Sequence, residues 1–225
     1  MRCRYLTPLI GLVVMMSACG ADSPTVTPKP TTTVFSEQDI IPTMPQRPGW
    51  TPKRPIAPVV MSEDDMMKRR RESLDGLAKY HSLRPWQYPE LVRWILPEQV
   101  ASVMIPCLKQ RGFVVKGNSS GRGYEVEIGA QGEAFGKAEI ECTAMFTVDP
   151  RLEGEPTLAQ KNLTYDYWIE YLVPCLKRHG IHPEVPSREV FLSKPVPMQE
   201  YPHDDEVIVK ECPYGPPSNA LLGET

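Results

Sequence analysis

The sequence has little of what marks common enzymes and nucleic-acid-binding proteins. Its formal net charge is only −3 over 225 residues, and it contains just four histidines. Nucleic-acid binding depends on a basic surface, so this charge gives no reason to expect a nucleic-acid partner. No Cys-x-x-Cys pair or Ser-x-x-Lys box occurs. The one Gly-x-Ser-x-Gly match, Gly117–Gly121, lies in a predicted hairpin turn between two strands and does not lead into a helix, so it is not a nucleophile elbow. We therefore predict no catalytic residues, no metal ligands and no cofactor.

Hydrophobic runs long enough to span a membrane are also missing from the N-terminal region. The apolar stretch from Leu9 to Met16 is far shorter than the roughly 20 residues that a spanning helix needs. Arg2 and Arg4 precede this stretch, and a positive segment followed by a short apolar one is typical of a secretory signal peptide. The pattern predicts that the protein is exported.

The apolar stretch ends in Met16-Ser17-Ala18-Cys19, which resembles the lipobox of bacterial lipoproteins. The resemblance implies that residues 1–18 are a signal peptide and that the Cys19 thiol carries diacylglycerol, with further acyl chains such as palmitate. Such chains would hold the protein on the outer, extracytoplasmic side of the cell membrane. The alternative is an ordinary secretory signal in which Cys19 has no special role.

Residues 19–61 have the composition of a linker. They contain nine of the 25 prolines and seven threonines, so they cannot bury enough apolar surface to fold. An extended Pro-rich chain of about 40 residues reaches on the order of 100 Å. We expect the few apolar residues of this linker to be exposed or weakly docked, although they could instead form a segment that binds a partner: Phe35, Ile40, Ile41 and Trp50.

Four cysteines lie in residues 62–215, the predicted folded domain, and an even number in an exported protein predicts two disulfides. The sequence Pro-Cys-Leu-Lys-x-x-Gly occurs at Pro106–Gly112 and again, 68 positions later, at Pro174–Gly180. If each copy belongs to one structural unit, Cys107 pairs with Cys142 and Cys175 pairs with Cys212. The competing pattern joins Cys107 to Cys175 and Cys142 to Cys212. A redox-active or metal-binding cysteine site is the functional alternative.

Both copies of the repeat carry an apolar helical stripe, and Gly112 and Gly180 suit the left-handed position that ends a helix. Pro106 and Pro174 are expected to kink these helices just before the cysteine. With strands expected around 114–128 and at 207–209, the fold class is α+β and mostly helical. Residues 216–225 are expected to be a loose C-terminal tail.

Another predicted helix begins with Ser62 as its N-terminal cap and continues to about Tyr80. Lys68 to Arg71 form a basic run on it, which we expect to be a solvated helix face. Contact of this run with anionic lipid headgroups or a wall polymer is the alternative.

The candidate chemical groups are sparse. We expect four glutamates to form a polar outer face, with the paired carboxylates of a glycoside hydrolase as the alternative: Glu125, Glu127, Glu139 and Glu141. His179 and His182 straddle Gly180, so they do not share a regular helical face and do not predict a zinc site. Aromatic residues around the second repeat helix predict core packing, with carbohydrate or peptide binding as the alternative: Tyr165, Tyr167, Trp168 and Tyr171.

The combination of lipobox, Pro/Thr-rich tether and the two Pro-Cys-Leu-x-x-x-Gly copies resembles small uncharacterised lipoproteins of actinobacteria and their phages. That resemblance implies a location in the cell envelope and supplies no activity. We expect a non-catalytic interaction module that is anchored to the lipid membrane through Cys19 and binds an envelope protein or a wall polymer. A cell-wall-active hydrolase that uses paired carboxylates is the alternative.

Overall fold

The computed structural model describes residues 49–118, 123–194 and 198–224. The predicted signal peptide, Cys19 and most of the predicted linker lie outside these residues. About half of the described residues are helical, and the strands are short, as the α+β prediction requires. The α-helices are α1 (Glu63–Tyr80), α2 (Val100–Gln110), α3 (Gly132–Met145), α4 (Leu158–Tyr167), α5 (Val173–Arg178), α6 (Arg188–Ser193), α7 (Glu206–Glu211) and α8 (Ser218–Leu222).

Two pairs of strands accompany the helices. The strands β2 (Val115–Gly117) and β3 (Tyr124–Val126) form the expected antiparallel hairpin. The strands β1 (Arg93–Ile95) and β4 (Phe146–Val148) pair in parallel and were not predicted. Unlike the hairpin strands, β1 and β4 are not joined by a Gly-rich turn, and β4 follows α3 directly.

The helix α1 begins at the predicted cap, because the Ser62 side chain accepts a hydrogen bond from the Asp65 N–H. The expectation of a solvated basic face on this helix is wrong for Arg70, which is 7% exposed. Its guanidinium donates from Nη2 to the carbonyls of Ala144 at 2.8 Å and Pro89 at 2.6 Å. Burial, together with Arg71, lowers the Arg70 pKa. This side chain joins α1 to the end of α3 and to the segment before β1.

The first disulfide lies in a core formed by α2, α3, the hairpin and the parallel strand pair. Cys107 of α2 and Cys142 of α3 are bonded, with their Cα atoms 6.0 Å apart. Their neighbours in this core are apolar and almost fully buried: Ile95, Val103, Met104, Leu108, Phe113, Val115, Phe135, Ala138 and Phe146. The pairing is the one that the repeat favoured.

The second disulfide lies in a separate core built on α4 and α5. Cys175 of α5 is bonded to Cys212, which directly follows α7, with Cα atoms 5.7 Å apart. Residues 168–172 between α4 and α5 form a π-helical turn, in which the Val173 N–H donates to the Trp168 carbonyl. The two prolines that were expected to kink the repeat helices lie in different settings. Pro106 lies inside α2, which continues through it, whereas Pro174 lies at the start of α5, after the π turn. In this core the aromatic side chains Tyr167 and Trp168 are buried.

The prediction of a last strand at 207–209 is wrong, because these residues lie within α7. The Asp205 carboxylate accepts hydrogen bonds from the N–H groups of Val207 and Ile208 and so begins a helix there. A stretch of three apolar residues does not distinguish a strand from one helical turn, and here the capping aspartate decides.

The C-terminal end also differs from the predicted loose tail. Residues 218–222 form α8, and Leu222 is fully buried. The Leu222 carbonyl accepts a hydrogen bond from Val59 N–H, which lies in the predicted linker. Gly223 has a φ of +72°, and a Cβ there would lie 2.7 Å from the Ala57 carbonyl oxygen. The last part of the linker therefore packs against the C-terminal helix.

Among the described residues, no helix is both long and apolar enough to cross a membrane.

The contacts of Arg70 predict a large effect of its removal. Arg70→Ala would leave two carbonyls without their donor and should lower the free energy of unfolding by roughly 2–4 kcal/mol. The matched control is Lys68→Ala on the same helix, whose side chain is exposed and which should change stability by less than about 0.5 kcal/mol. Denaturant titration of both variants checks this, and equal stabilities would show that the Arg70 contacts contribute nothing.

Candidate functional site

The first disulfide has a charged pair beside it. Arg111 follows Cys107 by four positions, at the end of α2, and its Nη1 lies 3.0 Å from the Cys107 Sγ and 3.1 Å from the Cys107 carbonyl oxygen. The Arg111 Nε also donates to Glu141, at 3.4 Å. Glu141 directly precedes Cys142. One ion pair thus connects the two chain segments that the disulfide joins.

The second disulfide has a corresponding pair. His179 follows Cys175 by four positions, at the end of α5, and its Nε2 lies 3.1 Å from the Glu211 Oε2. Glu211 directly precedes Cys212. The sulfur atoms of Cys175 and Cys212 and one His179 ring nitrogen all lie within 4.8 Å of one another. This is the densest group of possible metal ligands among the described residues.

The two helix ends share their backbone geometry as well. Phe113 N–H donates to the Leu108 carbonyl, and Ile181 N–H makes the same bond to the Leu176 carbonyl. The glycines before them have φ values of +88° and +77°, as the predicted helix ends require. Each basic side chain therefore lies at a helix C-terminus, where the helix dipole favours a positive charge.

The basic position is where the two sites differ chemically. The Arg111 guanidinium is always charged and cannot donate a lone pair to a metal. The His179 imidazole has a ring nitrogen that can donate a lone pair, and histidine is a common metal ligand. The same backbone arrangement therefore holds a permanent cation at one disulfide and a possible metal ligand at the other.

A separate hydrogen-bonded cluster joins three elements around Glu139 of α3. His81 Nε2, just after α1, lies 2.6 Å from one Glu139 carboxylate oxygen, and the Tyr124 hydroxyl of β3 donates to the other. Burial, together with the bond to Glu139, raises the Tyr124 pKa. The His81 ring packs so tightly on α3 that its Cγ would lie 2.6 Å from a Cβ at Gly136. Sequence reasoning named Glu139 but missed both of its partners, which are distant along the chain.

Three of the four glutamates named from the sequence contact different partners in the structure. Glu125 lies 3.1 Å from Lys116 across the hairpin, and Glu141 pairs with Arg111. Glu139 instead has His81 and Tyr124 as its partners. Each of these three carboxylates therefore contacts a different set of partners.

The aromatic residues mainly build the second core. Tyr167 and Trp168 are each 2% exposed, and their polar atoms donate to the carbonyls of Pro213 and Tyr214. Tyr165 donates to the Pro186 carbonyl and lies under the Arg188 guanidinium, 4.4 Å from the ring centre. This arrangement agrees with the predicted packing role, whereas the carbohydrate-binding alternative requires exposed ring faces.

Comparison of the chain with protein-family models, with curated proteins and with solved structures gave no match.

The Glu139 cluster predicts a measurable contribution to stability. Glu139→Gln removes the carboxylate that accepts from both His81 and Tyr124, and should lower the free energy of unfolding by about 1–3 kcal/mol. Glu125→Gln removes an exposed carboxylate and should change it by less than about 0.5 kcal/mol. Thermal melts of the two variants provide the comparison. A Glu139→Gln variant as stable as the native chain would show that the cluster does not hold α1, β3 and α3 together.

Proposed function

We propose that the protein is a lipid-anchored extracytoplasmic lipoprotein whose disulfide-bonded domain is a non-catalytic binding module of the cell envelope. The observation that carries this proposal is Met16-Ser17-Ala18-Cys19 at the end of a short signal-like stretch. The Pro-rich segment that follows is the tether. The partner is an envelope protein or a wall polymer.

The two disulfides support an oxidising compartment. Structural disulfides persist in exported proteins and are rare in the reducing cytosol. Both lie in buried cores, where Cys107, Cys142, Cys175 and Cys212 are at most 2% exposed. In the chain-entropy model, a disulfide that closes a loop of this length stabilises the fold by roughly 3–4 kcal/mol. A small domain held together in this way suits a location outside the cell membrane.

The last residues of the tether dock on the folded domain. Trp50 packs edge-on against Tyr167, with ring centres 5.1 Å apart. Lys53 lies 3.0 Å from Glu170, and Arg54 lies 3.5 Å from the Asp166 carboxylate. About 30 residues then separate Cys19 from this docked segment, and a Pro-rich chain of that length spans roughly 90 Å when extended. The tether therefore joins the domain beside α4.

We also infer that the two disulfide units are structural repeats. The support is their shared helix end, the basic residue four positions after the first cysteine and the glutamate directly before the second cysteine. A repeated unit of this kind supplies two similar surfaces in a single chain, which suits binding better than a single catalytic cleft. No contact described above favours the hydrolase alternative.

The anchoring step is tested by Cys19→Ala in cells that export the protein. We expect the variant to leave the membrane fraction and to lack the mass of the acyl chains, because no acyl group can attach. The matched control is Cys3→Ala, which removes a cysteine within the predicted signal peptide and should leave both properties unchanged. Membrane retention of Cys19→Ala with the native mass would contradict the lipoprotein assignment.

The binding step uses the same released variant. Purified Cys19→Ala protein should sediment in a saturable manner with envelopes from cells that lack the protein, without releasing soluble wall fragments. Soluble wall fragments that disappear with Glu139→Gln would instead support the hydrolase.

A further inference from the structure

The group at the second disulfide has the composition of a zinc site. Two cysteine sulfurs and one imidazole nitrogen are the ligands of many tetrahedral zinc centres, with water as the fourth ligand when the site is open. Cys175 and His179 are four positions apart at the end of one helix, so their side chains lie on the same face. Cys212 approaches from α7, and the three ligand atoms already lie within 4.8 Å of one another.

The position of Glu211 completes this arrangement. Histidines that bind zinc usually donate their second ring N–H to a carboxylate, which fixes the orientation of the ring. Here the His179 Nε2 lies 3.1 Å from the Glu211 Oε2. The same contact in a metal site would leave Nδ1 for the metal. The sulfurs are buried, whereas the His179 side chain is 28% exposed, so the site opens to solvent on the imidazole side.

We propose that reduction of the Cys175–Cys212 disulfide converts this unit into a Zn²⁺ site with Cys175, Cys212 and His179 as ligands and Glu211 as the residue that orients His179. This inference does not depend on the proposed function. Oxidised and reduced chains would differ in metal content, and the site would report the thiol redox state around the domain.

The chemistry needs a dithiol reductant. It transfers two electrons and two protons to the Cys175–Cys212 bond, giving two thiols, and is itself oxidised to a disulfide. Zn²⁺ then displaces the two thiol protons and binds the two thiolates, so metal binding releases two protons to solvent. In the reverse direction, the disulfide form of that reductant accepts the two electrons of the two thiolates and two protons from solvent, which re-forms the Cys175–Cys212 bond and releases Zn²⁺.

The first disulfide unit provides the internal control. Its helix end has the same backbone arrangement, but Arg111 occupies the position that His179 has in the second unit, with its Nη1 3.0 Å from the Cys107 sulfur. A guanidinium offers no lone pair to the metal, and its positive charge opposes a second cation beside it. We therefore expect the Cys107–Cys142 pair to bind no zinc when reduced.

The test uses the full chain carrying Cys3→Ala and Cys19→Ala, so that the four disulfide cysteines are the only thiols. The protein is reduced with a phosphine, freed of it without oxygen and titrated with Co²⁺, whose visible absorption distinguishes tetrahedral thiolate sites. We expect the reduced chain to bind one Co²⁺, which Zn²⁺ displaces, and the oxidised chain to bind none.

Matched variants assign the ligands. His179→Arg copies the first unit and should abolish the signal, whereas Arg111→His should create a second site. Glu211→Gln should weaken binding by about 10- to 100-fold, and Glu141→Gln should leave it unchanged. If reduction unfolds the chain, Zn²⁺ should restore its helical circular dichroism, because metal binding then stabilises the fold. A reduced chain that binds no Co²⁺, or that binds it equally well with His179→Arg, would overturn the proposal.

Discussion

The fold depends on one covalent constraint that occurs twice: a disulfide at the end of a repeated helix. In each case the bond connects the last turn of a helix to a segment about 35 residues later, and a buried core surrounds it. A chain of this size with a long Pro-rich segment has a limited apolar core, so crosslinks at these points restrict its unfolded state strongly. The helix-ending glycine then turns the chain away from the bond.

The features that could be predicted from sequence were those determined locally. The Ser62 cap and the two helix-ending glycines each depend on residues within one turn of each other. The cysteine pairing was also accessible, because the repeat shows which cysteines occupy equivalent positions. The cap and the glycines have a direct steric or hydrogen-bonding cause within a few residues, so short sequence motifs predict them.

Long-range contacts account for what the sequence did not show. The basic run near Arg70 looks like a solvated face, yet one guanidinium reaches carbonyls 74 and 19 positions away. The helix α8 follows a Pro-rich turn and is held by the linker and by a hydrogen bond from Ser218 to Glu98. Without a Cys-x-x-Cys pair, a metal-binding cysteine site was only an alternative in the sequence, because the proposed ligands come from an i, i+4 pair and a remote cysteine. The glutamates directly before the second cysteines, Glu141 and Glu211, can be seen in the sequence, but they belong to no standard metal-binding motif.

Non-reducing peptide mapping tests the two-unit account most directly. Trypsin places the four cysteines in four different peptides, residues 94–109, 138–151, 162–177 and 211–225. The account predicts that 94–109 is linked to 138–151 and that 162–177 is linked to 211–225. A peptide that links 94–109 to 162–177, or four free thiols in protein purified without reductant, would contradict it.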